Sequence, residues 1–222
     1  MTRGVLRGGV VAPGGGLRDA RIAIEDGRIE SVELSGPADG EHIISAGFID
    51  LQVNGLHGHD ASDGPAAISA ISEFLVQTGV TGFLPTMISR PPAEGRRFVA
   101  DVAEAAAEAP GARVLGAHLE GPFLNVRHRG AHEAGCLRLP SADGVAQVLE
   151  RPPRMMTLAP ELEGGLDAVR RLSEAGVLVS VGHSGATYEE GLAAFGSGAR
   201  FATHLFNAMP PLHHREPGLA GA

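Results

Sequence analysis

The chain has 222 residues, 18 basic against 26 acidic side chains, a formal charge of −8 and 43% hydrophobic residues. This composition supplies a core and excludes a disordered chain, and its acidic balance lacks the basic face that nucleic-acid binding requires. Every basic residue is arginine, which excludes Schiff-base chemistry and a P-loop lysine, and the single cysteine, Cys136, excludes an internal disulfide and fits a reducing, cytoplasmic compartment.

Residues 5–45 read as short β-strands. The runs VLRGGVV, ARIAIEDG and RIESVEL alternate and are rich in β-branched residues, and Asp26-Gly27 is a hairpin turn signal. The character changes at Gly47, so residues 1–46 are expected to form one part of the chain and residues 47–222 another. From Gly47 an apolar strand and a helix alternate. The expected strands are GFIDLQVNG (47–55), GVTGFLPTM (79–87), RVLGAHLEG (113–121), MMTLAPE (155–161), VLVSVGHSG (177–185) and RFATHLFNAM (200–209). Helices are expected over about 65–78, 92–109, 141–149, 166–175 and 187–195, the third capped by Ser141 or Asp143. The tail LHHREPGLAGA carries no clear element. No apolar run reaches about 18 residues, so no membrane helix is expected, and the first residues hold too short an apolar stretch for a signal peptide.

Six strand–helix repeats predict an α/β fold with a parallel sheet, either doubly wound or a (β/α)8 barrel. The polar residues favour the barrel. Gln52 and Asn54, His118 and Glu120, His183, and His204 with Asn207 all fall near the C-terminal ends of expected strands, which converge on one mouth in a barrel. No GxGxxG motif joins a strand to a helix, which weakens a dinucleotide-binding reading. Glu120, His183 and His204 each end a mostly apolar strand. Two imidazoles and a carboxylate form a hydrolytic metal set with positions left open for water and substrate.

The motifs GFIDLQVNG, HLEGPFLN, RGAH, TLAPE, VGHSGAT, THLFNAM and REPGLAGA occur in order from Gly47 to Ala222. Together they resemble the N-acetylglucosamine-6-phosphate deacetylases of the amidohydrolase superfamily. The resemblance implies a (β/α)8 barrel with a small β-sandwich, in a homo-oligomeric (dimeric or tetrameric) enzyme that hydrolyses the N-acetyl amide of an amino-sugar phosphate. It places one divalent metal, Zn by expectation, on Glu120, His183 and His204. It places substrate contacts on Ala131, His132, Asn207, Ala208 and Arg215, the arginine acting across a subunit interface. Gln52 and Asn54 stand where many amidohydrolases carry His-x-His, so they are possible first-strand site residues of a single-metal site. His57 and His59 fall in the loop beyond that strand and read as a loop pair, and Asp60 reads as structural.

The resemblance also implies a catalytic aspartate at the end of an eighth barrel strand, to move the proton between water and leaving amine. Only six strand–helix units are legible here, and no candidate aspartate follows the sixth strand. The chain is therefore expected to be a C-terminally truncated deacetylase whose catalytic Asp lies beyond residue 222, with a partial barrel and the N-terminal part of the sandwich. Two alternatives stay open: an inactive remnant that binds metal and sugar phosphate, and an amidohydrolase with another amide substrate.

Overall fold

Strands β1 (Arg3–Val11), β2 (Leu17–Glu25) and β3 (Arg28–Pro37) form an antiparallel meander. Asp26 and Gly27 join β2 to β3 with φ of 48° and 75°, the twisted two-residue turn that their side chains tolerate best. Leu6, Ile22 and Val32 stand in register across the three strands, with Gly8, Ala20 and Leu34 beside them, and so share one apolar face. The computed structural model describes residues 2–222, and this sheet belongs to the first of two units, which divide between Gly47 and Phe48.

The second unit opens with β4 (Phe48–Val53), a two-residue hairpin of β5 (Gly55–Leu56) and β6 (His59–Asp60), helix α1 (Pro65–Leu75), β7 (Val80–Ile88) and α2 (Pro92–Glu108). It continues with β8 (Arg113–Val114), β9 (His118–Glu120), α3 (Ala142–Leu149), β10 (Met155–Leu158), α4 (Gly165–Glu174), β11 (Leu178–Val181), α5 (Tyr188–Gly196), β12 (Phe201–Ala202) and α6 (Gly218–Gly221). The main sheet runs β4-β7-β9-β10-β11-β12, all parallel, with β8 beside β7. Strand order follows chain order without reversal. That is the singly wound arrangement of a barrel arc, whereas a doubly wound sheet reverses at a switch point. The unit is thus a six-position part of a (β/α)8 barrel. Among the described residues no helix is long and apolar enough to cross a membrane.

Local sequence explains the helices. Ser141 Oγ accepts from the Gly144 N–H at 3.1 Å and starts α3. Thr187 and Glu190 form a reciprocal capping box on α5, with Thr187 Oγ1 accepting from the Glu190 N–H at 3.2 Å and Glu190 Oε2 accepting from the Thr187 N–H at 2.8 Å. In α4, Gly165, Ala168, Val169 and Leu172 are buried, a helical stripe facing the sheet. One core gathers Met156, Leu158, Val179 and Val181 under α4 and α5; the other gathers Phe83, Ile68, Ile71 and Phe98 under α1 and α2.

Several expected elements differ: the fourth and fifth strands stop at Leu158 and Val181, short of the expected residues 161 and 185, and three others depart further. The third strand breaks between β8 and β9 because Gly116 takes φ 127°, and a side chain there would place its Cβ 2.5 Å from Cβ of Arg154. The sixth strand ends at Ala202, since His204, Phe206 and Ala208 take φ of 54°, 72° and 52°, left-handed values that no strand sustains. The tail forms the short α6, held by Leu219, which packs in the core with only 2% exposure.

A chain of polar side chains crosses the arc. His118 is 1% exposed. Its Nδ1 lies 2.9 Å from the Leu51 carbonyl, which can only accept, so Nδ1 carries the hydrogen and Nε2 accepts. The Thr157 hydroxyl, 2.8 Å away, must therefore donate to Nε2. Its oxygen is then free to accept from the Thr203 hydroxyl at 2.8 Å, which in turn accepts from Ser180 at 2.7 Å. Burial lowers the His118 pKa against the Leu51 bond and the Glu120 charge that raise it, which favours the neutral ring.

Candidate active site

Glu120 ends β9, and three imidazoles close on its carboxylate. His183 Nε2 and His204 Nε2 each lie 2.9 Å from Oε1, and His132 Nε2 lies 3.5 Å from Oε2. Glu120, His132 and His183 are all buried, and their ligand atoms lie within 4.8 Å of one another, a cluster that could hold a metal ion.

The outer nitrogens separate the roles of the three rings. His183 Nδ1 is 2.9 Å from the His128 carbonyl and donates to it, so Nε2, which donates to Glu120 Oε1 while the ring is protonated, is the nitrogen that offers a lone pair once that proton leaves. His204 Nε2 lies 2.9 Å from Glu120 Oε1 and 3.4 Å from the Gln52 amide nitrogen, so this ring nitrogen turns to the same carboxylate oxygen as His183 Nε2. His132 is the reverse. Its Nδ1 accepts from the Ser89 N–H at 3.0 Å, so Nε2 carries the hydrogen and acts as a donor. His183 and His204 thus converge through Nε2 on one oxygen of Glu120, and His132 approaches the other oxygen as a hydrogen donor.

Electrostatics agree with this convergence. Burial would raise the Glu120 carboxyl, but hydrogen bonds from His132, His183 and Gln52 outweigh it and hold the group well below the usual carboxylate range. Burial would lower His183, but its bonds to Glu120 and the His128 carbonyl, with the Glu120 charge, raise it. The site draws a positive charge to this point, either a proton or a metal ion.

The backbone is shaped for the cluster. His183 takes φ 49° and His204 φ 54°, costly values for residues with a Cβ. Glu161, which follows β10, steadies the first of these turns. Its carboxylate accepts from Asn125 Nδ2 at 2.9 Å, Ser184 Oγ at 2.6 Å and the Gly185 N–H at 2.5 Å, while the Asn125 N–H donates to the His183 carbonyl at 2.9 Å. Sequence reading quoted Glu161 within TLAPE but gave it no role; only the fold brings its three donors together. Glu161→Gln converts two-oxygen acceptance into one and is expected to weaken divalent-metal affinity about 10–100-fold while the protein stays folded. Metal titration with a chelator checks this; an unchanged affinity would show that Glu161 does not steady His183.

The cluster lies in a cavity of about 680 Å³ whose lining includes Gln52, Asn54, Ala131, His132, Asn207 and Ala208. Asn54 Nδ2 also donates to the Thr86 carbonyl at 3.2 Å, tying β4 to β7. The Asn207 N–H donates to the His204 carbonyl at 2.5 Å, so it stabilises the turn and does not face the cavity. Arg215 is exposed and is not in the lining, whereas Arg127, which sequence reading passed over, is. His57 and Gly58 turn β5 into β6, and the His57 and His59 rings lie 4.3 and 6.3 Å from Phe74, away from the cluster. Asp60 Oδ1 accepts from the Ser62 N–H at 2.8 Å and caps a turn. Glu120 is the one carboxylate in the cavity lining among the described residues.

The amidohydrolase family model matches residues 43–222. An N-acetylglucosamine-6-phosphate deacetylase of Danio rerio is 42% identical over 188 residues, covering 81% of this chain and 46% of the relative. An N-acetylgalactosamine-6-phosphate deacetylase of Escherichia coli O157:H7 is 35% identical over 216 residues, covering 94% of this chain and 57% of the relative. A mutant N-acetyl-D-glucosamine-6-phosphate deacetylase from Mycobacterium smegmatis, solved with N-acetyl-D-glucosamine-6-phosphate, superposes with a TM-score of 0.87 at 33% identity, covering 99% of this chain and 60% of that one. The chain spans about half the length of the curated relatives it matches.

Proposed function

The chain belongs to the amidohydrolase family, and from that premise we propose that it forms the metal-binding and substrate-recognising part of a deacetylase that converts N-acetylglucosamine 6-phosphate to glucosamine 6-phosphate and acetate. The observation that carries this reading is the convergence of two imidazole nitrogens, His183 Nε2 and His204 Nε2, each 2.9 Å from Glu120 Oε1. Glu120, His183 and His204 hold the ion, and two imidazoles with one carboxylate suit Zn. When bound, the ion supplies Lewis acidity, polarising a carbonyl and making hydroxide available near neutral pH.

The protein's own groups do the rest. His132 Nε2–H donates to the amide oxygen of the substrate, and its orientation is set by the Ser89 N–H on its other nitrogen. Gln52 and Asn54 replace a second metal's histidines and keep the site mononuclear. Ala131, the Asn207 side chain and the Ala208 N–H contact the sugar phosphate. Arg127 in the cavity wall, and Arg215 of a neighbouring subunit in a homo-oligomer, supply cations for the phosphate. Among the described residues no aspartate lines the cavity to carry the proton transfer. Since Glu120 is the one lining carboxylate among the described residues and is occupied by the histidines, these 222 residues alone are expected to bind metal and sugar phosphate without turnover. The compartment that suits such an enzyme is the cytoplasm.

A second reading rests on the Escherichia coli relative, whose named substrate differs at one hydroxyl. Acetate release by the metal-loaded complete protein tests both. Turnover of N-acetylglucosamine 6-phosphate with the higher kcat/KM supports the first reading. Preference for N-acetylgalactosamine 6-phosphate moves the assignment to that sugar, and acetate from neither overturns the proposal.

A further inference from the structure

A second cavity, of about 390 Å³, lies between α2 and α3 outside the ends of β7 and β9. Ile88 is the one residue whose lining it shares with the candidate active site. Its floor is apolar, formed by Met87, Leu119, Phe123 and Val148, of which Met87 and Phe123 are buried. Its lining also carries four arginines: Arg90, Arg96, Arg138 and Arg151.

These arginines are poorly compensated. Arg96 has one ion pair, with Glu150 at 3.9 Å, and Arg138 donates only to the carbonyls of Gly135 and Leu137 in its own loop. Arg90 and Arg151 make no hydrogen bond or ion pair with another described residue. Asp143 is the one acidic side chain in the lining. In a chain of net charge −8, this reverses the local sign around an apolar floor.

We propose that this cavity is a second small-molecule site, for an amphipathic anion whose apolar body fills the floor and whose carboxylate or phosphate meets the arginines. Neither feature alone makes such a site: an apolar floor binds without regard to charge, and exposed arginines bind phosphate without an apolar partner. Their combination, in a volume at the lower end of the small-ligand range, selects molecules with both parts. The site does not depend on the proposed catalytic function. Its wall includes Ser89, whose N–H donates to His132 Nδ1 and whose hydroxyl donates to the Glu120 carbonyl, so an occupant would rest against the support of the metal cluster.

Calorimetric titration of the 222-residue chain with octanoate tests this, with octanol and inorganic phosphate as comparison probes. Octanoate is expected to bind at least about tenfold more tightly than either, and to weaken with added salt. The double variant Arg90→Gln, Arg151→Gln should lose about tenfold or more in octanoate affinity, as should Val148→Trp, which fills the floor; both should retain the metal content of the parent. Equal binding of octanoate and octanol, unchanged affinity in both variants, no octanoate binding at millimolar concentration, or octanoate located in the metal cavity by crystallography would each overturn the assignment.

Discussion

Glu120→Gln is expected to leave the protein folded and without stoichiometric divalent metal. The substitution keeps the shape of the side chain and removes its charge, and an amide can turn an N–H toward the two imidazole nitrogens that now lie 2.9 Å from Oε1. The point that now attracts a cation would then carry a donor. If an apparent binding free energy on the order of 10 kcal/mol is shared by three ligands, losing one costs roughly 3 kcal/mol, about 100-fold in affinity. His183→Ala removes a neutral ligand with a smaller change in charge and should show a loss of the same order. Metal analysis after dialysis, read beside a thermal melt, separates ligand loss from unfolding. Stoichiometric metal in both folded variants would reject this ligand set. The pH dependence has a defined sign. His183 holds its proton more strongly than a free histidine because its bonds to Glu120 and His128 outweigh burial, so the ion competes with that proton. Metal affinity should rise as pH increases through the histidine range and weaken in acid.

How far the sequence could reach is clearest at these residues. Glu120, His183 and His204 are legible because each closes an apolar stretch, Glu120 at the end of β9 and the two histidines two residues past β11 and β12, and a parallel arc in chain order brings such ends together. The same logic could not tell a ligand from a donor. His132 sits in a loop whose path depends on tertiary contacts, and its tautomer is set by the N–H of Ser89, 43 residues away. Glu161 was hidden for a similar reason: an acid at a strand end has no meaning until Asn125, Ser184 and Gly185 converge on it. The sixth strand was overextended because THLF has the apolar character of a strand, whereas the chain there adopts left-handed turns at His204, Phe206 and Ala208. Propensity disfavours that backbone, so only the contacts around it, such as the Ser184 N–H on the Ala208 carbonyl at 3.2 Å, can account for it.

The polar chain beneath the cluster leads to the second large effect. His118→Phe is expected to lower stability by roughly 2–5 kcal/mol, because it takes the imidazole donor from the half-buried Leu51 carbonyl and the imidazole acceptor from the buried Thr157 hydroxyl, which keeps only Thr203. The larger ring also sets C–H groups where nitrogens now lie 2.9 and 2.8 Å from oxygens, so overpacking adds to the lost hydrogen bonding. Each bond in the chain takes its direction from the next. Once Nε2 no longer accepts, Thr157 must find another acceptor, and its neighbours Thr203 and Ser180 lose the order that the Leu51 carbonyl imposes from the far end. At about 2–4 °C per kcal/mol for a chain of this length, the melting temperature should fall by roughly 5–20 °C. Thr157→Val breaks the same chain in its middle and should cost about 1–3 kcal/mol, while Thr157→Ser keeps the hydroxyl and should cost much less. Since His118 lies two residues before Glu120 on the same face of β9, the His118→Phe protein should also bind metal more weakly than its loss of stability alone explains. A melt within a degree of the parent protein for both His118→Phe and Thr157→Val would show that the chain carries no net stabilisation, and the register of β9 would then have to be set by the apolar core alone.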